Sequence, residues 1–258
     1  MVWNNMPEAG KPHDTGATNA ARFGTTHWSV VLAAGGTTSP KAAAALEQLC
    51  REYWYPLYAF VRRRGYPEAD AQDLTQSFFA RLLERRALRG VGREGGRFRS
   101  YLLTSLNYFL RDEWDKARAA KRGGGKAIFS LDAQEADGRY QFEPADGLTA
   151  DKLFARRWAV TTLESALERL REECAAEGKL RQWEALHPFI AEETPDGTYD
   201  RLGAELGLAP GTVSVTLHRL RQRYRQLVRD EVARTVANPA EVDDEMKALL
   251  AALRGDGG

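Results

Sequence analysis

Between Tyr199 and Tyr224 a short stretch with helical apolar spacing, a break at Gly207-Leu208-Ala209 and an arginine-rich stretch follow one another. Small polar side chains at the start of a helix, with arginines behind them, suit the recognition of a polyanion. The slim helix end can enter a groove, and its N–H groups and guanidiniums can meet phosphates. Thr212, Ser214, Val215, Thr216, His218 and Arg219 are the candidates for the outer face, with Arg221 and Arg223 behind them and Tyr199 and Arg201 on the preceding helix. Leu202, Leu206, Leu208, Val213, Leu217 and Leu220 are expected to lock the two helices together. The pattern fits a helix-turn-helix reading a major groove. An ordinary helical hairpin with a solvated arginine face competes with it.

A second set mixes charge with rings. Arg93, Arg97, Phe98, Arg99, Tyr101, Asn107, Tyr108 and Arg111 lie within a basic region, residues 85–122. Exposed aromatic faces beside guanidiniums suit unpaired bases, which stack where duplex bases cannot. Here the competing reading puts Phe98 and Tyr101 in a core and the arginines in water.

Bond-making chemistry finds little support. Gly123-Gly124-Gly125-Lys126 lacks the first glycine and the hydroxyl of a phosphate-binding loop, with Ala120 and Ala127 at those places. Cys50 and Cys174 stand far apart, and His13, His27, His187 and His218 are scattered, so no metal-ligand spacing arises. No catalytic residue, metal or cofactor is expected. No apolar run approaches a membrane span and no signal-peptide pattern opens the chain, so a cytoplasmic protein without a membrane partner is expected.

The elements that must position these residues are helical. Across 258 residues the net charge is only +1, but it is unevenly placed. Residues 85–126 carry twelve Lys/Arg against four Asp/Glu, 131–151 carry six acids and one base, and 210–236 carry six arginines against two acids. Two basic blocks flanking an acidic segment suggest one polyanion met at two places. Ser39-Pro40 is a helix start, followed by Leu46, Leu49, Cys50, Tyr53, Leu57, Phe60 and Val61 at helical spacing, with a kink expected at Pro56. Leu74, Phe78 and Leu82 mark a second helix, and Leu103, Leu106, Leu110 and Trp114 a third. The expected architecture is all-α: two small helical domains joined by a flexible acidic linker, the C-terminal one a helix-turn-helix. The segments are a disordered 1–24, a helical domain 25–120, a linker 121–150, a second domain 151–236 and an extension 237–258. The extension carries Leu249, Leu250 and Leu253, suited to docking on the second domain or to a regulatory contact.

In this order the pieces resemble the extracytoplasmic-function (group 4) sigma factors of the sigma-70 family. Asp70-Ala71-Gln72-Asp73-Leu74-Thr75-Gln76-Ser77-Phe78-Phe79 resembles the family's polymerase-binding helix. Phe98-Arg99-Ser100-Tyr101-Leu102-Leu103-Thr104 resembles the start of its promoter-melting helix, and Gly211-Thr212-Val213 with Leu217-His218-Arg219 its recognition helix. The resemblance implies a non-enzymatic subunit that binds core RNA polymerase through the two largest subunits. Asp70, Asp73, Gln76 and Ser77 would meet the polymerase. The loop 89–97 and the helix after it would capture the −10 promoter element, and the C-terminal helices would read the −35 element. The linker would thread the polymerase.

Gln72 and Ser77 stand where the family has acids, so the polymerase face is short of negative charge. Thr75, and Ser77 second, are therefore candidate sites for a Ser/Thr protein kinase, whose phosphate would supply about −1.5 to −2 charge. A plain helical threonine is the competing reading, and an anti-sigma factor is the other expected class of regulator. A stand-alone helix-turn-helix transcriptional regulator, needing no polymerase, is the alternative function.

Overall fold

Pro40 occupies the first position of a helix because its fixed φ and missing N–H cost nothing there. In a computed structural model, which describes residues 28, 40–83, 96–120 and 147–255, this helix is α1, Pro40–Arg63. It runs through Pro56 without interruption. Leu46, Leu49, Cys50, Tyr53, Leu57, Phe60 and Val61 are all buried, as their spacing predicts, but so are Tyr55, Pro56, Tyr58 and Ala59. The second half of α1 is thus enclosed on every side, as expected of the central post of a helical unit. Gly65, at φ 92°, turns the chain out of it.

Helix α2, Glu68–Leu83, has Glu68 and Asp70 in its first turn, where acids suit the helix dipole. Its buried side is Ala71, Thr75, Phe78, Phe79 and Leu82, while Leu74 is only half-buried. Helix α3, Phe98–Ala120, buries Phe98, Leu102, Leu106, Phe109 and Leu110. Phe78, Leu82, Leu106 and Leu110 are buried as their spacing predicts, whereas Leu74 lies at the edge of its stripe. Leu103 is half-buried and Trp114 is 53% exposed.

Helix α4, Ala150–Ala176, starts at Thr149, whose hydroxyl accepts from the Lys152 N–H at 3.3 Å. Short helix α5, Leu180–Leu186, continues into a 3-10 turn, His187–Phe189. Helices α6, Thr198–Leu206, and α7, Pro210–Arg234, follow, then a 3-10 turn at Pro239–Glu241 and α8, Val242–Arg254. Among the described residues 84% are helical and none forms a strand. None of the described helices is long and apolar enough to cross a membrane. The expected tail 1–24 and most of the expected linker, 121–146, lie outside the described residues.

The chain divides into two compact units. The first contains the described residues up to 161 together with 232 onward, and the second contains 162–231. The boundary expected at 150/151 differs from this division, because the first turns of α4, with Leu153, Phe154 and Trp158 buried, belong to the first unit. The extension belongs there too, and not with the second domain.

The core of the first unit is aromatic. Phe98 stands 4.8 Å from the Trp28 ring and edge-on to Tyr53 at 5.1 Å. The Trp28 Nε1–H donates to the Gly96 carbonyl at 3.1 Å. Full burial of such side chains contributes roughly 1.5–3 kcal/mol each, and each ring pair adds about 0.5–1.5 kcal/mol. From the other end of the chain, Val242, Glu245, Leu249 and Ala252 form the buried face of α8.

Candidate nucleic-acid interface

In the second unit the turn between α6 and α7 is set by glycines. Gly207 ends α6 in the left-handed region, at φ 67°, and its N–H returns to the Gly203 carbonyl. Leu208 donates to the same carbonyl at 2.9 Å. A Cβ on Gly203 would stand 2.7 Å from the Leu208 oxygen, so a side chain there would force the turn open. Gly203 was not among the sequence candidates; its signal was the four-residue interval to Gly207. The Ala209 carbonyl then accepts from Thr212 and Val213 at 2.8 and 3.1 Å, starting α7.

Leu202, Val213 and Leu217 are buried and clamp the pair, with Leu206, Leu208 and Leu220 half-buried beside them. The opposite face of α7 presents Thr212, Val215, His218, Arg219, Gln222 and Arg225, all exposed. Val215 is 50% exposed, an apolar side chain with no core to fill. Ser214 and Thr216 are half-buried, and the Thr216 hydroxyl donates to the Thr212 carbonyl at 2.8 Å. On α6, Arg201 is exposed and Tyr199 half-buried.

Two of the arginines expected on this face have other partners. Arg221 donates to the Phe189 carbonyl at 3.2 and 2.8 Å, to the Glu192 carbonyl at 2.7 Å and to the Thr194 hydroxyl at 3.0 Å. It staples the loop between α5 and α6 and is not presented as a phosphate contact. Arg223 holds both oxygens of Glu173, at 2.7 and 2.6 Å. That bond keeps the Glu173 carboxyl below its ordinary range and the Arg223 guanidinium above its own. Burial pushes Tyr224, whose hydroxyl donates to the Leu163 carbonyl at 3.2 Å, up to about 12.

In the first unit the candidates separate into three groups. Asp70, Asp73 and Ser77 are exposed along one side of α2, with Gln76 half-buried. Thr75 does not share that side: it is 0% exposed and its hydroxyl donates to the Ala71 carbonyl at 2.7 Å. This corrects its expected placement. The inner stripe runs Ala71, Thr75, Phe78, Leu82, so a phosphate on Thr75 would have no room or water in this fold.

The second group begins α3. Phe98 is fully buried and is a core residue, which corrects its expected place on a base-stacking surface. Arg97 and Arg99 both pair with Glu245 of α8. Arg99 also lies over the Trp158 ring at 4.8 Å. Tyr101 is half-buried on Trp28, and burial raises its phenol. Asn107 accepts from Arg64 and donates to the Leu103 carbonyl at 3.0 Å. Arg93 lies outside the described residues.

The third group is open. Tyr108 is 67% exposed, Arg111 is exposed and Trp114 is 53% exposed. Positions 108, 111 and 114 follow one another at three-residue steps along the outside of α3, placing two ring faces beside a guanidinium. Trp114 was read in sequence as core. Its position three residues after Arg111, and not on the Phe109 side, was the available signal.

These surfaces offer stacking planes, guanidiniums, hydroxyls and a helix start. No group of three or more His, Cys, Asp or Glu that could hold a metal occurs among the described residues. No protein-family model, curated protein or solved structure matches the chain.

Proposed function

We propose that the chain is a sigma factor: it binds core RNA polymerase and directs initiation by recognising two promoter elements and holding the melted strand. In this reading α6, its turn and α7 form a helix-turn-helix in one domain, and α1 to α3 form the other. The observation that carries the reading is the outer face of α7. Thr212, Val215, His218 and Arg219 stand exposed at the start of a helix held by a glycine turn too tight for any side chain. A hydroxyl, a small apolar contact for a thymine methyl and an arginine are the groups that read base edges in a major groove. Tyr108 and Trp114 supply ring faces, and Arg111 a guanidinium, for unpaired bases of the −10 element. Asp70, Asp73, Gln76 and Ser77 supply a polar strip for the polymerase. An initiation factor of this kind catalyses nothing: it favours the open promoter by binding unpaired strands better than the duplex.

A stand-alone duplex-DNA regulator remains the second reading. It is favoured by the loss of Phe98 and the engagement of Arg99, which leave the −10 surface smaller than sequence promised. Pull-down with bacterial core RNA polymerase, followed by run-off transcription, separates the two. Stable binding and specific initiation are expected. Duplex binding without polymerase binding would sink the sigma reading and leave the regulator.

A further inference from the structure

We propose that residues 235–254 form a fixed strap and that Glu245 is a positioning residue for the basic start of α3. The inference rests on the nucleic-acid reading of α3 given above. Residues 235–237 run antiparallel to 96–98. The Phe98 N–H donates to the Thr235 carbonyl at 2.9 Å, the Ala237 N–H donates to the Gly96 carbonyl at 3.2 Å, and Arg97 pairs with Val236. Helix α8 then returns over the same segment with Val242, Leu249 and Ala252 buried. Between them sits the Glu245 carboxylate, with 0% of its side chain exposed. Arg97 reaches it at 3.0 Å, and Arg99 holds both its oxygens, one through Nη2 at 3.1 Å.

A carboxylate this far from water is costly unless cations hold it. Two guanidiniums do so, and the trio by itself keeps one positive charge in surplus, with the Asp244 carboxylate, itself bonded to Lys247, also acting on Arg97. The two arginines divide the work. Arg99 is 17% exposed and is fixed on its other side by the Trp158 ring; it is a structural post. Arg97 is 32% exposed and is the member through which the surplus charge meets solvent. A guanidinium already oriented loses less freedom when it contacts a phosphate. A removable lid would have to draw Val236, Val242, Leu249 and Ala252 out of the core along with Glu245. That much apolar burial favours a permanent part of the unit.

The sign of one substitution decides the matter. Glu245→Gln deletes a negative charge beside two arginines. If Glu245 only masks or neutralises them, binding of a polyanion rises. If it positions Arg97, binding falls although the net charge has become more positive. The full chain reconstituted with core RNA polymerase is titrated with a fluorescent single-stranded deoxyoligonucleotide, read by anisotropy at fixed salt. Glu245→Gln is expected to weaken binding about fivefold, Arg97→Gln to do the same, and the double variant to lose no more than Arg97→Gln alone. Unchanged or tighter binding by Glu245→Gln, or losses that multiply in the double variant, would overturn the proposal. If Glu245→Gln does not fold, Glu245→Met with Arg99→Met removes the buried pair together and leaves Arg97 unheld. A similar loss then supports positioning, and wild-type affinity overturns it. A wild-type complex that binds no oligonucleotide sinks the nucleic-acid reading of α3 as well, whereas wild-type binding with an unaffected Glu245→Gln sinks only the strap's role.

Discussion

Helices α3 and α7 were both candidate DNA-facing elements: α3 opens on Phe98-Arg99-Ser100-Tyr101, and α7 opens on small residues with its arginines from Arg219 onward. Their first turns are opposites in the structure. The start of α3 is turned inward, with Phe98 in the core and Arg97 and Arg99 on Glu245. The start of α7 is turned outward, with Thr212, Val215 and Arg219 exposed. What differs is the neighbour. A segment 137 or more residues away in the chain folds back on the start of α3, while the start of α7 is held from one side only, by α6 and its turn. A carboxylate brought in from far along the chain fixes the arginines at the start of α3, whereas no such partner meets the exposed side chains at the start of α7.

The largest effect that tests this contrast is at Phe98. Phe98→Ala is expected to cost about 3–5 kcal/mol of stability, by loss of buried ring and the cavity left behind. Tyr108→Ala, ten residues along the same helix and 67% exposed, is expected to change stability by less than about 0.5 kcal/mol and to weaken single-stranded DNA binding. Urea unfolding of both variants measures it. Equal stability losses would mean that Tyr108 is packed into the core as Phe98 is.

The next effect concerns the glycines around the start of α7. Gly203→Ala places a Cβ 2.7 Å from the Leu208 oxygen and is expected to cost about 1–3 kcal/mol, with duplex binding lost as the turn opens. Gly211→Ala meets nothing within 4 Å inside a helix and is expected to be neutral or to stabilise by up to about 1 kcal/mol. Thermal melts of the pair decide it: a neutral Gly203→Ala would sink the close turn as the reason α7 faces outward.

Arginines supply a third test within α7 itself. Arg221→Ala removes four donor contacts to the loop at Phe189, Glu192 and Thr194 and is expected to cost about 1–3 kcal/mol of stability. Arg219→Ala is expected to leave stability within about 0.5 kcal/mol and to lower the salt slope of DNA binding by about one. If Arg219→Ala leaves DNA binding and its salt dependence untouched, the outer face of α7 is only solvated.

These cases also mark how far sequence carried. The helical class, the helix start at Pro40 and the break at Gly207 follow from local chemistry, because capping, periodicity and positive φ are set within a few residues. The inner stripes of α2 and α3 were read correctly at Phe78, Leu82, Leu106 and Leu110 and missed at Leu74, Leu103 and Trp114. A leucine every four positions drifts around a helix of 3.6 residues per turn, and small residues such as Ala71 and Thr75 fill the true stripe without registering as apolar. Thr75 stands three and seven residues before the buried Phe78 and Leu82, on the same face; its polar type, not its spacing, made it a candidate phosphosite. The partners of Arg97, Arg99 and Arg221 were not legible, since each lies 27 or more residues away and no local pattern announces it. Glu245 was similarly hidden among Asp243, Asp244 and Glu245, three acids of which only the last turns inward.

The smallest expected effect belongs to Arg223, the arginine of α7 that lies between those two extremes. Its guanidinium holds both oxygens of Glu173 at 2.7 and 2.6 Å, yet the side chains remain 44% and 36% exposed. The hydrogen bond from Arg223 keeps the Glu173 carboxyl below its ordinary value of 4.5. A carboxyl depressed in the folded state contributes stability that is present above its unfolded value and fades as pH falls through the folded one. Water and salt screen a pair this exposed, so its contribution at neutral pH is under about 1 kcal/mol. Glu173→Gln should therefore cost that small amount near neutral pH and nothing once the pH is well below 4.5, and added salt should shrink the difference. Arg221→Ala gives the contrast: its partners are carbonyls and a hydroxyl that do not titrate, so its cost should not vary over the same range. A Glu173→Gln cost that persists undiminished in acid would mean that packing, and not the charge on the carboxylate, joins α4 to α7 at this point.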